Sequence, residues 1–189
     1  MPKKVDRAGR REEILDAAVR VFARKGFAAS RIEDVAAEAG IAKGSVYLYF
    51  DSRDALLVGV FQSYAARSEQ VLTELGTGAA LDRLAELIRG TIELLAAHPD
   101  HARVLLDVWA ANPPLDMAAV YHEYRSAIAD LLRQAQAEGA LRPGIDEQHA
   151  AVIVGAIEGC LIQALVDPNV SLLALAEPVV QICVTGIRR

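Results

Sequence analysis

SRIEDVAAEAGIAKGSVYLYF, residues 30–50, is the stretch on which the fold turns. Ile32, Val35, Ala36 and Ala39 fall at helical spacing, which predicts a short amphipathic helix. Ser30 and Glu33 have the spacing of a capping box, so this helix is expected to open at Ser30. Gly40 ends it in a tight turn, Ala39-Gly40-Ile41. A second short helix is expected two residues later. Val46, Tyr49 and Phe50 form its inner face, while Lys43, Ser45, Tyr47 and Leu48 face outward. Ile41 and Val46 have the spacing of a hydrophobic staple around an N-cap at Ala42. Two short helices across such a turn have the size of a helix-turn-helix, whose second helix presents its first residues to base edges in the major groove. Lys43 can donate to guanine acceptors and the Tyr47 hydroxyl can reach a phosphate. Gly44 permits close approach to a duplex, and the opening of a helix favours phosphate. Any short helical hairpin in a bundle shows the same spacing, so spacing by itself leaves both readings open.

The flanks are helical too. Ile14, Ala17, Ala18, Val21 and Phe22 line one face of a helix that begins at Arg11 and stops before Gly26. Residues 1–10 lack apolar periodicity and read as a flexible basic arm. Asp51 and Ser52 can cap a helix carrying Leu57, Val60, Phe61 and Tyr64 inward and running to about residue 75. Five more helices are expected, over 80–97, 101–111, 115–138, 146–166 and 170–186, broken at Pro99, Pro113-Pro114, Gly139 and Asp167-Pro168. The fold class is therefore all-α with about nine helices. An N-terminal three-helix domain spans 10–55 and a larger helical domain spans 56–189.

Composition agrees. Hydrophobic residues make up 53% and aromatics 5%, and hairpin signals such as Asn-Gly are missing. The net charge of -5 conceals a split: residues 1–50 carry ten Lys/Arg against seven Asp/Glu, and the remainder carries ten against eighteen. A polyanion meets the local basic charge rather than the total. Cys160 and Cys183 sit in apolar runs and read as reduced, buried thiols of a cytoplasmic protein. No signal peptide is visible, and the apolar stretch 150–166 is short for a membrane span and carries Glu158 and Gln163. His98, His101, His122 and His149 read as surface histidines with no metal-binding spacing. No catalytic constellation or nucleotide loop appears, so neither an enzyme nor a cofactor or metal is expected.

Ile14 to Ala18, Phe22, Gly26-Phe27, Ser30, Val35-Ala36, Ala39-Gly40-Ile41, Lys43-Gly44, Tyr47, Tyr49-Phe50 and Leu56-Leu57 together resemble the N-terminal domain of the TetR/AcrR family of transcriptional regulators. The resemblance covers about residues 10–65. It implies a DNA-binding set of Arg31, Ala42, Lys43, Gly44, Ser45, Tyr47, Leu48, Tyr49 and Arg53. Within that set, Tyr47 stands where the family's backbone-contacting aromatic lies, and Arg53 stands where a phosphate-binding Lys is usual. Three departures mark this chain: Arg31 near a positive helix end, where a phosphate or base would be a fitting partner, Ala42 in place of a capping Ser, and Leu48.

For the larger half the resemblance rests on helix number and order, with 138–143 leading into 156–159. It implies a small-molecule pocket with candidate lining residues Phe61, Tyr64, Ile88, Thr91, Leu105, Trp109, Met117, Tyr121 and Tyr124, suited to a small apolar or aromatic ligand. Each residue taken singly also fits core packing. Ala151, Gly155 and Gly159 recur every four residues and, with Leu172, Leu175, Val179, Ile182 and Cys183, match the helix pair through which the family forms homodimers; intrachain packing is the alternative. Glu158, an acid in a nearly apolar helix, can hydrogen-bond across the dimer, contact a ligand or point to solvent; a structural role is the one expected. The implied partners are a pseudo-palindromic double-stranded operator, a second copy and the ligand, with no membrane. The implied function is repression relieved by the ligand; the alternative is a DNA-binding regulator with no physiological small-molecule ligand.

Overall fold

A computed structural model describes residues 6–110 and 116–189. The helices are α1 (Arg7–Lys25), α2 (Ile32–Glu38), α3 (Lys43–Tyr47), α4 (Arg53–Thr73), α5 (Ala80–Ala97), α6 (Pro99–Ala110), α7 (Met117–Ala137), α8 (His149–Val166) and α9 (Ala176–Cys183), with 3-10 turns at Leu173–Leu175 and Thr185–Ile187. The fold is all-α, as expected; among the described residues the only β pairing is one isolated bridge, Leu141 with Arg188. The chain divides into two compact units, residues 1–67 with 100–115, and residues 68–99 with 116–189.

In the first unit, α1 buries Ile14, Leu15, Ala17, Ala18, Val21 and Phe22, against α2 and with Phe27. The helix begins four residues before the expected start. The Asp6 carboxylate accepts the Gly9 amide at 3.1 Å, and this N-cap draws part of the expected arm into the first turn. Residues 1–5, the rest of that arm, lie outside the described residues. Helix α4 comes close to this core at Gly59, where a Cβ would lie 2.8 Å from Phe50 Cε1 and 2.9 Å from Leu15 Cδ2. Only glycine lets the helix approach that far.

Helix α6 also belongs to this unit. It begins at Pro99 rather than 101, because proline suits the first helical position, where its missing N–H is not needed. His101 is buried and stacks on the buried Tyr64 at 5.7 Å, so it is a core side chain and not the surface histidine expected. Asp107 accepts the backbone N–H of Phe27 at 2.6 Å and thereby fastens α6 to the α1–α2 junction.

In the second unit, α5 packs on α7, α8 and α9, and α7 packs on α8. Leu81, Leu84, Ile88 and Ile92 meet Leu131, Leu132, Ile153, Ile157, Val179 and Val180 in the core. Polar contacts tie the ends together. Glu138 caps α5 by accepting the Ala80 amide at 3.1 Å. Arg89 makes a forked pair with Glu177 at 2.5 and 3.0 Å. Arg188 reaches Asp82 at 2.5 Å. The last helix is not continuous over 170–186. Pro178 cannot donate a backbone N–H, so α9 starts afresh at Ala176 behind a 3-10 turn. Helix α8 starts at His149 rather than 146, because the Asp146 carboxylate holds the Gln148 amide in a turn. Among the described helices, α8 is the one long and apolar enough to cross a membrane by length and composition, yet Ala150, Ile153, Ile157 and Leu161 lie in the core of this unit.

Candidate nucleic-acid interface

The expected capping box at Ser30 and Glu33 does not form. The buried Ser30 hydroxyl donates to the Gly26 carbonyl at 2.6 Å and closes the α1–α2 turn instead. Helix α2 opens at Ile32, and the Asp34 carboxylate accepts the Arg31 amide at 3.0 Å, taking the part assigned to Glu33. The sequence signal was degenerate: Glu33 and Asp34 are adjacent acids, and a one-residue shift of the helix start exchanges their roles. Asp34 also pairs with Lys25 at 2.6 Å, while Glu38 pairs with Arg20 and Arg24 at 2.8 and 3.0 Å. These contacts hold α2 on α1. The Lys25 hydrogen bond, followed by the Arg31 amide, keeps the Asp34 carboxyl below its ordinary pKa; Arg20 and then Arg24 do the same for Glu38.

The turn is as expected. Gly40 adopts φ +66°, and the Ile41 amide donates five residues back to the Ala36 carbonyl at 3.0 Å. This left-handed closure of a helix favours glycine. Helix α3 then runs for five residues, anchored by the buried side chains of Val46 and Phe50. So short a helix has little dipole, and its contacts with a polyanion fall mainly to side chains. Ala42, its N-cap, makes no side-chain cap bond. Ala42, Lys43, Gly44, Tyr47 and Leu48 are exposed, with Tyr47 at 43% and Leu48 at 70%; Ser45 is half-buried. Tyr49, expected inside, is also only half-buried and lies under the Arg7 guanidinium at 6.0 Å.

Two charged residues of the expected set have partners that spacing could not disclose. Lys43 Nζ lies 2.5 Å from Glu33 Oε1 and 5.8 Å from the Tyr47 ring centroid. That hydrogen bond is the main cause holding the Glu33 carboxyl below its ordinary pKa and the Lys43 ammonium above it. The Arg53 guanidinium lies over the Phe27 ring at 4.3 Å and donates to the Ala28 and Ser30 carbonyls at 2.9 and 3.2 Å. Arg53 therefore clamps the α1–α2 turn, and its remaining donors are what a phosphate could meet. Arg31 is exposed.

The expected pocket residues divide between the units. In the first, Phe61 and Tyr64 are buried and Leu105 is half-buried. In the second, Ile88 is buried, and Thr91, Tyr121 and Tyr124 are half-buried. The side chains of Trp109 and Met117, and the Pro113-Pro114 break, lie outside the described residues. Tyr121 donates its hydroxyl hydrogen bond to Glu158, a partner within the chain that spacing could not disclose. Burial pushes the Tyr124 hydroxyl above its ordinary pKa, and a hydrogen bond with Ser68 pulls it partway back.

The expected dimer set also splits. Ala151, Gly155 and Ile182 are exposed, while Gly159 and Leu175 are half-buried. Leu172, Val179 and Cys183 turn into the chain's own core, which is the intrachain packing that was the alternative for them. Both cysteines are free thiols, and burial raises the pKa of Cys183. Among the described residues no group of His, Cys, Asp and Glu could hold a metal ion.

A family model described as "Bacterial regulatory proteins, tetR family" matches residues 14–60, and one described as "BetI-type transcriptional repressor, C-terminal" matches residues 80–187. The chain is 29% identical over 184 residues to the fatty acid metabolism regulator protein of Bacillus subtilis, covering 93% of this chain and 94% of that protein. It is 31% identical over 147 residues to the transcriptional repressor KstR2 of Mycobacterium tuberculosis, covering 72% of each. The structure of Bacillus subtilis FadR in complex with stearoyl-CoA superposes with a TM-score of 0.80 at 25% identity, covering 93% of this chain and 98% of that one.

Proposed function

Because the chain belongs to the TetR family of bacterial regulatory proteins and is a DNA-binding transcriptional regulator, we propose that it is a cytoplasmic homodimeric repressor released from a pseudo-palindromic operator by a small molecule. The observation that carries this reading is the exposed opening of α3. Gly44, Tyr47 and Leu48 are exposed, as is Lys43 in its pair with Glu33, on a helix whose far side is pinned by Val46 and Phe50. A rigid short helix with its first residues exposed is what major-groove readout requires. Residues 10–55 act as the DNA-binding domain, and residues 56–189 serve dimerisation and the effector.

Dimerisation is supported by the outer face of the second unit. Val152, Val166 and Ile182 are 65%, 75% and 74% exposed, and Gly155 and Ile162 are exposed on the same side of α8 as Val152 and Val166. A contiguous apolar face of this kind marks a contact surface, and small residues at Ala151, Gly155 and Gly159 permit a close helix crossing. The effector is a molecule with an apolar body and a polar end. It is met in the second unit by the half-buried Thr91, Tyr121 and Tyr124, whose side chains combine apolar faces with polar tips. The complex of the Bacillus subtilis relative makes stearoyl-CoA the first compound to try. Such a ligand acts by favouring a state whose two reading helices no longer match the operator spacing.

The test is fluorescence anisotropy on a duplex selected by the protein. Lys43→Ala and Tyr47→Phe are expected to weaken binding with thermal unfolding unchanged, and saturating effector is expected to release the wild type. Unchanged binding by both variants would refute the assignment of α3 as the reading helix. Undiminished affinity at saturation excludes the compound tried.

A further inference from the structure

Three acids lie on α2. Two of them, Asp34 and Glu38, face α1 and bind Lys25, Arg20 and Arg24. Glu33 has no such task. It reaches across the turn to Lys43, the first residue of α3, at 2.5 Å, and both side chains are exposed. An acid on a face built for a polyanion works against affinity, because every phosphate near it is repelled. An exposed ion pair adds little to folding stability, so stability does not account for its place beside the reading helix.

We propose that Glu33 is a specificity-determining residue that holds Lys43 in reserve and directs it to a G·C pair; this rests on the DNA-binding role proposed for α3. Lys43 has two competing partners, the Glu33 carboxylate and the phosphate backbone. Taking Lys43 to a phosphate strips Glu33 of its cation and leaves a carboxylate facing the duplex. At a G·C pair both groups stay satisfied. Guanine O6 and N7 accept from the Lys43 ammonium, and the cytosine N4 amino group donates to the Glu33 carboxylate. An A·T pair places its donor, adenine N6, between the acceptors N7 and O4, so it does not offer Lys43 two adjacent acceptors beside a donor for Glu33. The pair thus lowers affinity for arbitrary sequence while leaving the matched site favourable, and discrimination is the difference between the two.

The experiment uses the full chain as wild type, Glu33→Gln, Lys43→Ala and the double variant, with circular dichroism to verify equal helicity. Anisotropy is measured from 50 to 200 mM KCl on three duplexes: the one selected by the wild type, the same duplex with the G·C pair under Lys43 changed to A·T, and a scrambled duplex. Glu33→Gln is expected to bind the scrambled duplex several-fold more tightly, with a salt slope steeper by about one phosphate contact, or ~0.9 in the log–log plot. Its preference for the selected over the scrambled duplex is expected to fall about tenfold, corresponding to loss of one good base contact. The G·C to A·T penalty shrinks, and in the Lys43→Ala background Glu33→Gln leaves the preference among the duplexes unchanged. An unchanged preference, an equal change on all three duplexes, or the same effect without Lys43 would overturn the proposal. A wild type that does not prefer the selected duplex refutes instead the DNA-binding role on which it rests.

Discussion

Gly44→Ala separates what the reading helix needs for folding from what it needs for DNA. Gly44 is the second residue of α3 and is exposed. A Cβ built there meets nothing within 4 Å, and the backbone is not left-handed. Alanine is the better helix former by about 0.5–1 kcal/mol. The variant is therefore expected to be as stable as wild type or slightly more so, a rise in Tm of up to about 4 °C for a chain of this size. On DNA the added methyl group stands between the helix and the duplex. Losing one charge-assisted hydrogen bond costs about 1.5–3 kcal/mol, which is roughly a tenfold to hundredfold loss of affinity. Gly40→Ala is the mirror control. Its Cβ also meets nothing within 4 Å, but φ is +66°, so it is expected to cost about 1–2 kcal/mol of stability and to bind DNA normally when folded. Thermal unfolding by circular dichroism and anisotropy on the selected duplex read both effects. Wild-type affinity in Gly44→Ala would refute close approach at this position, and a lowered Tm would refute the account of α3.

Three further outcomes are expected. Asp107→Ala leaves the buried Phe27 without its amide acceptor, so urea unfolding should show a loss of about 1–3 kcal/mol; an unchanged midpoint would remove Asp107 as the fastening of α6. Gly59→Ala forces a methyl group to 2.8 Å from Phe50 and 2.9 Å from Leu15, an overpacking expected to cost about 1–3 kcal/mol in the same assay. If α4 shifted to accept it freely, stability would not change. The pair Val152→Glu and Ile182→Glu adds charge to the exposed apolar positions of α8 and α9 and is expected to give a folded monomer by light scattering, against the dimer proposed for the wild type; a dimeric variant would place the interface elsewhere.

The long-range pattern was legible in the sequence because helical periodicity and Gly/Pro breaks act locally. The helices of the N-terminal domain, the left-handed turn at Gly40 and the inward side chains of Val46 and Phe50 all follow from spacing. What the sequence hid was the choice among equivalent partners. Glu33 and Asp34 differ by one position, and their roles were decided by where α2 begins, which in turn depends on Ser30 bonding backward to Gly26. Arg53 was expected to await a phosphate, but Phe27 and the carbonyls of Ala28 and Ser30 were available to it in the fold. Asp107 carries no local signal, because its partner lies 80 residues away. Spacing puts Leu172, Val179 and Cys183 on an apolar face without saying whether a second copy or the chain's own core covers it; here the core does.

The most direct measurement of the central claim is in vitro selection of random double-stranded DNA by the purified chain, followed by sequencing. The enriched sequences are expected to share a pseudo-palindrome whose half-sites lie about one helical turn, ~34 Å, or a multiple of it apart, and the Lys43→Ala protein should fail to enrich it. Recovery of unenriched DNA by the wild type, or the same motif from Lys43→Ala, would contradict sequence reading by the opening of α3.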